Sequence, residues 1–146
     1  MAADEAPENI FKRVVVAVDG SPQSSKTIKV ALDLTRRYGS RVTIVHVREH
    51  DRYEGDDVDL GPAISPQALI DQAVERFRAE GLATEGVVRH VSPGGTPEQI
   101  VLVAEDQGAQ LIVMGTRGMT EWKSLLLGGV ANKVVTHAPC PVLLVR

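Results

Sequence analysis

VVVAVDGSP, Val14–Pro22, decides the fold. Its first part, Val14–Val18, is apolar and mostly β-branched, with no alternation between apolar and polar positions. A run of that kind reads as a strand buried on both faces, as in a parallel sheet. Asp19-Gly20 ends the run, and Ser21-Pro22 then pairs a helix N-cap hydroxyl with a proline at the first helical position. Strand, turn and helix start follow one another with nothing between them.

Outward from this stretch the same unit repeats. Val42–Val47 (VTIVHV), Leu111–Met114 (LIVM) and Val142–Val145 (VLLV) are further buried-strand runs, and the mixed run Thr84–Val91 suits an edge strand. Between them lie faces of helical period: Ile28, Ala31, Leu32 and Thr35; Leu69, Ala73 and Phe77; Ile100, Val103 and Ala104; Val130, Val134 and Val135. Ser65-Pro66 and Thr96-Pro97 repeat the cap-and-proline signature, and Gln99 completes a capping box with Thr96. The order is β-α-β-α-β-α-β-α-β, which implies right-handed crossovers and a mostly parallel sheet with helices on both faces. One connection stands apart. Arg48–Ile64 (REHDRYEGDDVDLGPAI) is acidic and aperiodic, and reads as a solvated surface loop or as a flap over a ligand at the end of the second strand.

Composition narrows the function classes. The chain has 146 residues, enough for one domain with its own core, and with 3% aromatics that core rests on Val, Ile, Leu and Ala. Residues 1–12 begin acidic and polar and read as a flexible segment, not a secretory signal, ahead of a domain at 13–146. A net charge of −3 with both signs interspersed argues against nucleic acid or an anionic membrane as partner. No apolar run is long enough to span a bilayer, and the single cysteine, Cys140, allows no internal disulfide. A cytoplasmic protein is expected.

In an open parallel sheet, ligands gather at the carboxyl ends of the strands, where the strand order reverses. Asp19-Gly20-Ser21 follows the first strand; Gly115-Thr116-Arg117-Gly118 follows the fourth, and Gly128-Gly129-Val130 opens the last helix. Glycines let backbone N–H groups approach phosphate oxygens, and a helix start adds unpaired donors. The two glycine pairs could hold opposite sides of one phosphate chain, or could equally serve a tight turn and a close helix–sheet contact.

VVVAVDGS (Val14–Ser21), HV (His46–Val47), GTPEQI (Gly95–Ile100), LIVMGTRG (Leu111–Gly118), LLLGGVANKVV (Leu125–Val135) and HAPCPVLLV (His137–Val145) together resemble the universal stress proteins, in order and spacing, from Arg13 to Arg146. The resemblance implies an open five-stranded parallel sheet of order 3-2-1-4-5, Rossmann-like and of the adenine nucleotide α hydrolase type. It also implies a homodimer through the C-terminal strand. The ATP-binding branch carries Gly-x2-Gly-x9-Gly-(Ser/Thr); Gly115, Gly118 and Gly128 match, and Gly129 stands where the hydroxyl residue would be. By resemblance Asp19 contacts the nucleoside, the backbone around Val47 bonds adenine, and Ala17 lines the pocket. Thr116 and Arg117 are candidate phosphate contacts within the glycine loop, and Gly129 and Val130 offer backbone donors. The implied ligand is ATP, with Mg2+, or else AMP or cyclic AMP. The implied role is nucleotide binding in stress regulation; the alternatives are a nucleotide-free dimeric interaction module and a slow ATP hydrolase.

The remaining candidates read as structural. His46 lies in a core strand and is expected to be a hydrogen-bonded core residue, while His50 and His90 look exposed and His137 suits a helix C-terminus. Lys123 and Lys133 read as surface charges. Asp56-Asp57-Val58-Asp59 lacks the glycine and terminal glutamate of a calcium loop, and Cys140 has no neighbouring base to activate it.

Overall fold

A computed structural model describes residues 8–116 and 127–146. The buried runs form strands β1 (Arg13–Ala17), β2 (Arg41–Tyr53), β4 (Thr84–Val91), β5 (Leu111–Gly115) and β6 (Val142–Val145). They lie in the order β4-β2-β1-β5-β6, with all four pairings parallel. This is the expected 3-2-1-4-5 order, so the reversal falls between β1 and β5. Helices α1 (Pro22–Tyr38), α2 (Pro66–Arg78), α3 (Thr96–Gln107) and α4 (Gly129–His137) supply the crossovers.

Both faces of the sheet are covered. Val14 and Val16 of β1 pack with Ile28 and Ala31 of α1 and Leu69, Ala73 and Phe77 of α2. Val15, on the opposite face, packs with Ile100, Val103 and Ala104 of α3 and Ala131 and Val134 of α4. Successive strand residues point to opposite faces, so β1 must be apolar at every position, as it is. Val135 departs from the expected face: it is 45% exposed, and Ala131 takes the inward place one turn before it.

The second strand differs most from expectation. Residues 48–53 are not loop but a continuation of β2, which turns through Glu54-Gly55 into a short antiparallel strand, β3 (Asp56–Asp59). The sheet is therefore mixed, with six strands. Both turn residues have positive φ, 52° at Glu54 and 88° at Gly55, as a tight two-residue hairpin requires. The hairpin is polar on both faces, so hydrophobic periodicity could not reveal it.

Two helix starts also depart from the expected capping. Ser65 caps α2 as read, its hydroxyl accepting the Ala68 N–H at 3.1 Å. Thr96 instead lies inside the first turn of α3, with Gly95 as N-cap, and donates its hydroxyl to Glu49 Oε1 at 2.8 Å. The carboxylate across the sheet competes successfully for a hydroxyl that a capping box would use locally. Ser21 precedes α1, but its hydroxyl makes no cap bond. Ahead of the boundary drawn at Arg13, Asn9 Nδ2 donates to the Tyr38 carbonyl at 2.8 Å and Phe11 packs edge-on against the Tyr38 ring.

Candidate functional site

The carboxyl ends of β1, β2 and β5 open into a cavity of about 420 Å3 at the reversal point. Ala17, Asp19, Val47, Gly115, Thr116, Gly128, Gly129 and Val130 all line it. Arg117 and Gly118, the other two residues read as nucleotide-binding, lie outside the described residues, as does Lys123.

Asp19 is aimed by its surroundings. The β1–β2 ladder continues past β1 through Val18 N–H donating to the Val45 carbonyl at 2.9 Å. The carbonyl of Val18 in turn accepts from His46 Nδ1 at 2.9 Å, which makes the Nδ1–H tautomer the one this contact selects. His46 is 2% exposed, and burial lowers its pKa by disfavouring the charged ring. It is the hydrogen-bonded core residue expected, and it also walls the cavity. Beyond it the chain turns at Gly20, whose φ is 79°. A Cβ there would come within 2.8 Å of Pro62 and 2.6 Å of Leu69, so glycine is demanded by both backbone and space. Asp19 Oδ1 accepts the Ser21 N–H at 2.9 Å and the Ser24 hydroxyl at 2.7 Å. The aspartate therefore organises the entry to α1 while facing the cavity. Ser21 is 7% exposed and lines the cavity, and its buried hydroxyl has no hydrogen-bond partner among the described residues. A buried hydroxyl left unpaired costs about 1–3 kcal/mol, which a polar ligand group would recover.

The opposite wall is backbone. Thr116 N–H donates to the Val145 carbonyl at 3.0 Å, and Gly128 N–H donates to the Thr116 carbonyl at 2.7 Å. The two glycine segments thus meet directly. The first bond within α4 is Asn132 N–H to the Gly128 carbonyl at 3.0 Å, which leaves the amides of its first turn at the positive end of the helix dipole, beside the cavity. Gly129 is exposed and has nothing within 4 Å of a Cβ position.

A third wall comes from the segment that the sequence offered as a surface loop or as a flap over a ligand, and its anchor was not anticipated. Leu60, Gly61 and Pro62 line the cavity, held by Arg48, which is 3% exposed. Its Nε donates to Asp59 Oδ1 at 2.8 Å, and its Nη2 to the carbonyls of Pro62 at 2.5 Å and Ile64 at 3.0 Å. Nη1 lies 3.5 Å from His46 Nε2, the acceptor nitrogen of that tautomer. Arg48 and the Gly61 amide both bond Asp59, and Arg48 foremost holds its carboxyl below the usual carboxylate range. The one available signal was an arginine directly after an apolar strand, followed by the acidic run DDVD.

The other candidates resolve as follows. His50 Nε2 and His90 Nδ1 meet at 3.0 Å, a pairing the sequence reading did not anticipate, and His50 Nδ1 lies 3.2 Å from Asp57 Oδ2 without making a hydrogen bond. Among the described residues no group of three or more His, Cys, Asp or Glu side chains could hold a metal ion. Burial pushes the Cys140 thiol pKa up, away from reactivity. His137 closes α4 as expected, and no described helix is long and apolar enough to cross a membrane.

An open α/β sheet with a cavity at its reversal point, glycine-walled on one side and carboxylate-bearing on the other, defines a domain of the doubly wound α/β class. The family follows from comparison: residues 10–146 match the model described as the universal stress protein family, and the chain belongs to it. A universal stress protein of Thermus aquaticus is 39% identical over 143 residues, spanning 94% of this chain and all of the relative. Among solved structures, the universal stress protein from Archaeoglobus fulgidus in complex with dAMP superposes with a TM-score of 0.68 at 26% identity, covering 94% of this chain and 99% of that one. A universal stress protein in complex with cAMP gives 0.66 at 26% identity, covering 93% and 97%.

Proposed function

We propose that this protein binds an adenine nucleotide in the crevice between β1 and β5, and that occupancy of this site is its regulatory signal in stress response. The carrying observation is that one cavity gathers every described residue read from sequence as nucleotide-binding. Its chemistry suits the ligand: backbone amides at the start of α4 for phosphate, Asp19 for ribose hydroxyls, and the apolar ends of β1 and β2 for the base. The dAMP and cAMP complexes of similar proteins support the same reading. Both ligands carry a single phosphate, and Gly129 lacks the hydroxyl expected near distal phosphates, so AMP or cyclic AMP is the leading ligand and ATP the second. Magnesium accompanying ATP would draw its ligands chiefly from phosphate oxygens.

Binding rather than turnover is the proposed activity. Asp19 Oδ1 is already engaged by Ser21 and Ser24, which suits a positioning carboxylate better than a general base. The partly exposed apolar edge β6 is the proposed dimer seam. Four measurements test these statements. Nucleotide released on denaturing the purified protein is identified by mass, and titration calorimetry ranks AMP, cyclic AMP and ATP. Phosphate release from ATP near one per second would replace the binding reading with an enzymatic one. A monomer by light scattering at micromolar concentration would remove the dimer.

A further inference from the structure

Leu60 is a large apolar residue that is 48% exposed, yet its backbone and both neighbours are held by directional hydrogen bonds. Its N–H donates to the Glu49 carbonyl at 2.9 Å, which ties it to β2 two residues beyond Val47. The preceding residue, Asp59, is gripped by Arg48 and accepts the Gly61 N–H at 2.8 Å, closing a tight local turn. The carbonyl of Pro62 is taken by Arg48. Gly61 is required here for space, because a Cβ would overlap the Arg48 guanidinium. A buried cation thus fixes a segment in which Ile64 packs against the core and Leu60 does not.

An exposed leucine on a flexible loop needs no explanation. An exposed leucine held in place at the mouth of a cavity invites one, since rigid presentation removes the ordering cost that a mobile contact would incur on binding. We infer that Leu60, presented by the Arg48–Asp59 clamp, is a specificity-determining contact that covers the outer face of the bound base. Val47 and Leu60 would then enclose the base from two sides, while the phosphates lie at the far wall beside α4. The inference rests on the nucleotide reading above. It assigns hydrophobic recognition to the base end alone, independent of phosphate number.

The test is calorimetric titration of wild type, Leu60→Ser, Gly61→Ala and Asp59→Asn with adenosine, AMP and ATP. Leu60→Ser removes the contact and leaves the clamp; because Leu60 is exposed, its unfolding midpoint should match wild type. It should weaken adenosine, AMP and ATP by the same factor, about five- to tenfold, as expected for half of a leucine side chain returned to water. Gly61→Ala and Asp59→Asn leave Leu60 in place but loosen the clamp. Both should weaken all three ligands and speed hydrogen exchange at the Leu60 amide, a readout that loss of a side-chain contact alone would not move. Affinities for Leu60→Ser equal to wild type, or a loss confined to ATP, overturn the inference. Wild type that binds none of the three ligands overturns the nucleotide reading itself, so the two failures are distinguishable.

Discussion

Two sides of the cavity are built on opposite principles. The wall at β1 and β2 is made of side chains fastened to one another: His46 to Val18, Arg48 to Asp59, Pro62 and Ile64, and Asp19 to Ser21 and Ser24. The wall at β5 and α4 is made of backbone, with Thr116 and Gly128 joined amide to carbonyl and an exposed Gly129 beside them. In the first wall binding and folding share the same groups, so damage to one damages the other. In the second, a side chain can be added without touching the core. Substitutions of the bonded groups in the first wall should therefore move stability and affinity together, and those in the second affinity alone.

The largest effect is expected at Arg48. Arg48→Ala strips partners from two backbone carbonyls and opens a void beside His46. The Asp59 contact contributes less than its 2.8 Å suggests, because that carboxylate is 43% exposed and water can replace the arginine. Counting the buried hydrogen bonds, the loss should be about 2–3 kcal/mol, read as a lower urea midpoint. A midpoint equal to wild type would mean that the hairpin segment contributes nothing to the fold, and the contrast between the walls would collapse.

His46 sharpens the same contrast through pH. Its folded pKa is lowered, chiefly by burial, so below about 6.5 the unfolded chain takes up a proton that the folded chain refuses. Stability should then fall as pH falls through that value, by at most about 1.4 kcal/mol per unit, until the lowered folded pKa is reached. His46→Gln cannot take that proton, so the slope just below about pH 6.5 should flatten. An unchanged slope would place the titration elsewhere.

Which wall could be read from sequence follows from the same difference. Backbone recognition restricts residue type at fixed spacing, so Gly115, Gly128 and Gly129 stood out without any knowledge of neighbours. The Val-rich strands and Pro-led helices were legible for a similar reason, each being a local pattern with one meaning. Arg48 carried no such pattern. Its partners lie 11 to 16 residues away across a hairpin whose strands are polar on both sides, and only the fold brings them together. Thr96 misled in the opposite direction, since its local capping pattern was complete but Glu49, 47 residues earlier, captured the hydroxyl.

Asp19→Ala should cost about 1 kcal/mol of stability, because Oδ1 anchors the entry to α1 much as a side-chain cap would. Nucleoside affinity should fall with it. Calorimetric titration with adenosine, paired with the unfolding midpoint, separates the two. A midpoint shift with unchanged adenosine affinity would leave Asp19 as a turn residue and nothing more.

The smallest effect, and the one that isolates the backbone wall, is expected from Gly129→Ser. The change restores the hydroxyl that the family motif places at the start of the last helix. It meets no steric barrier, for φ at Gly129 lies outside the left-handed region and the Cβ position is open. A hydrogen bond to a charged phosphate oxygen contributes about 1.5–3 kcal/mol when shielded from water. Gly129 is exposed, and solvent competes for both partners, so a gain of about 0.5–1.4 kcal/mol is the reasonable expectation, or roughly two- to tenfold in affinity. The gain should appear for ATP and be absent for AMP if the hydroxyl reaches only distal phosphates. Taking the ratio of the two affinities within each variant removes any general effect of serine on α4, since helix stabilisation acts on both ligands alike. A ratio unchanged from wild type would mean that position 129 does not sense the distal phosphates, and the phosphate chain would have to run along Gly115 and Thr116 instead. A raised ratio with an unaltered unfolding midpoint would show a binding wall that can be edited without disturbing the fold, the property its construction from backbone predicts.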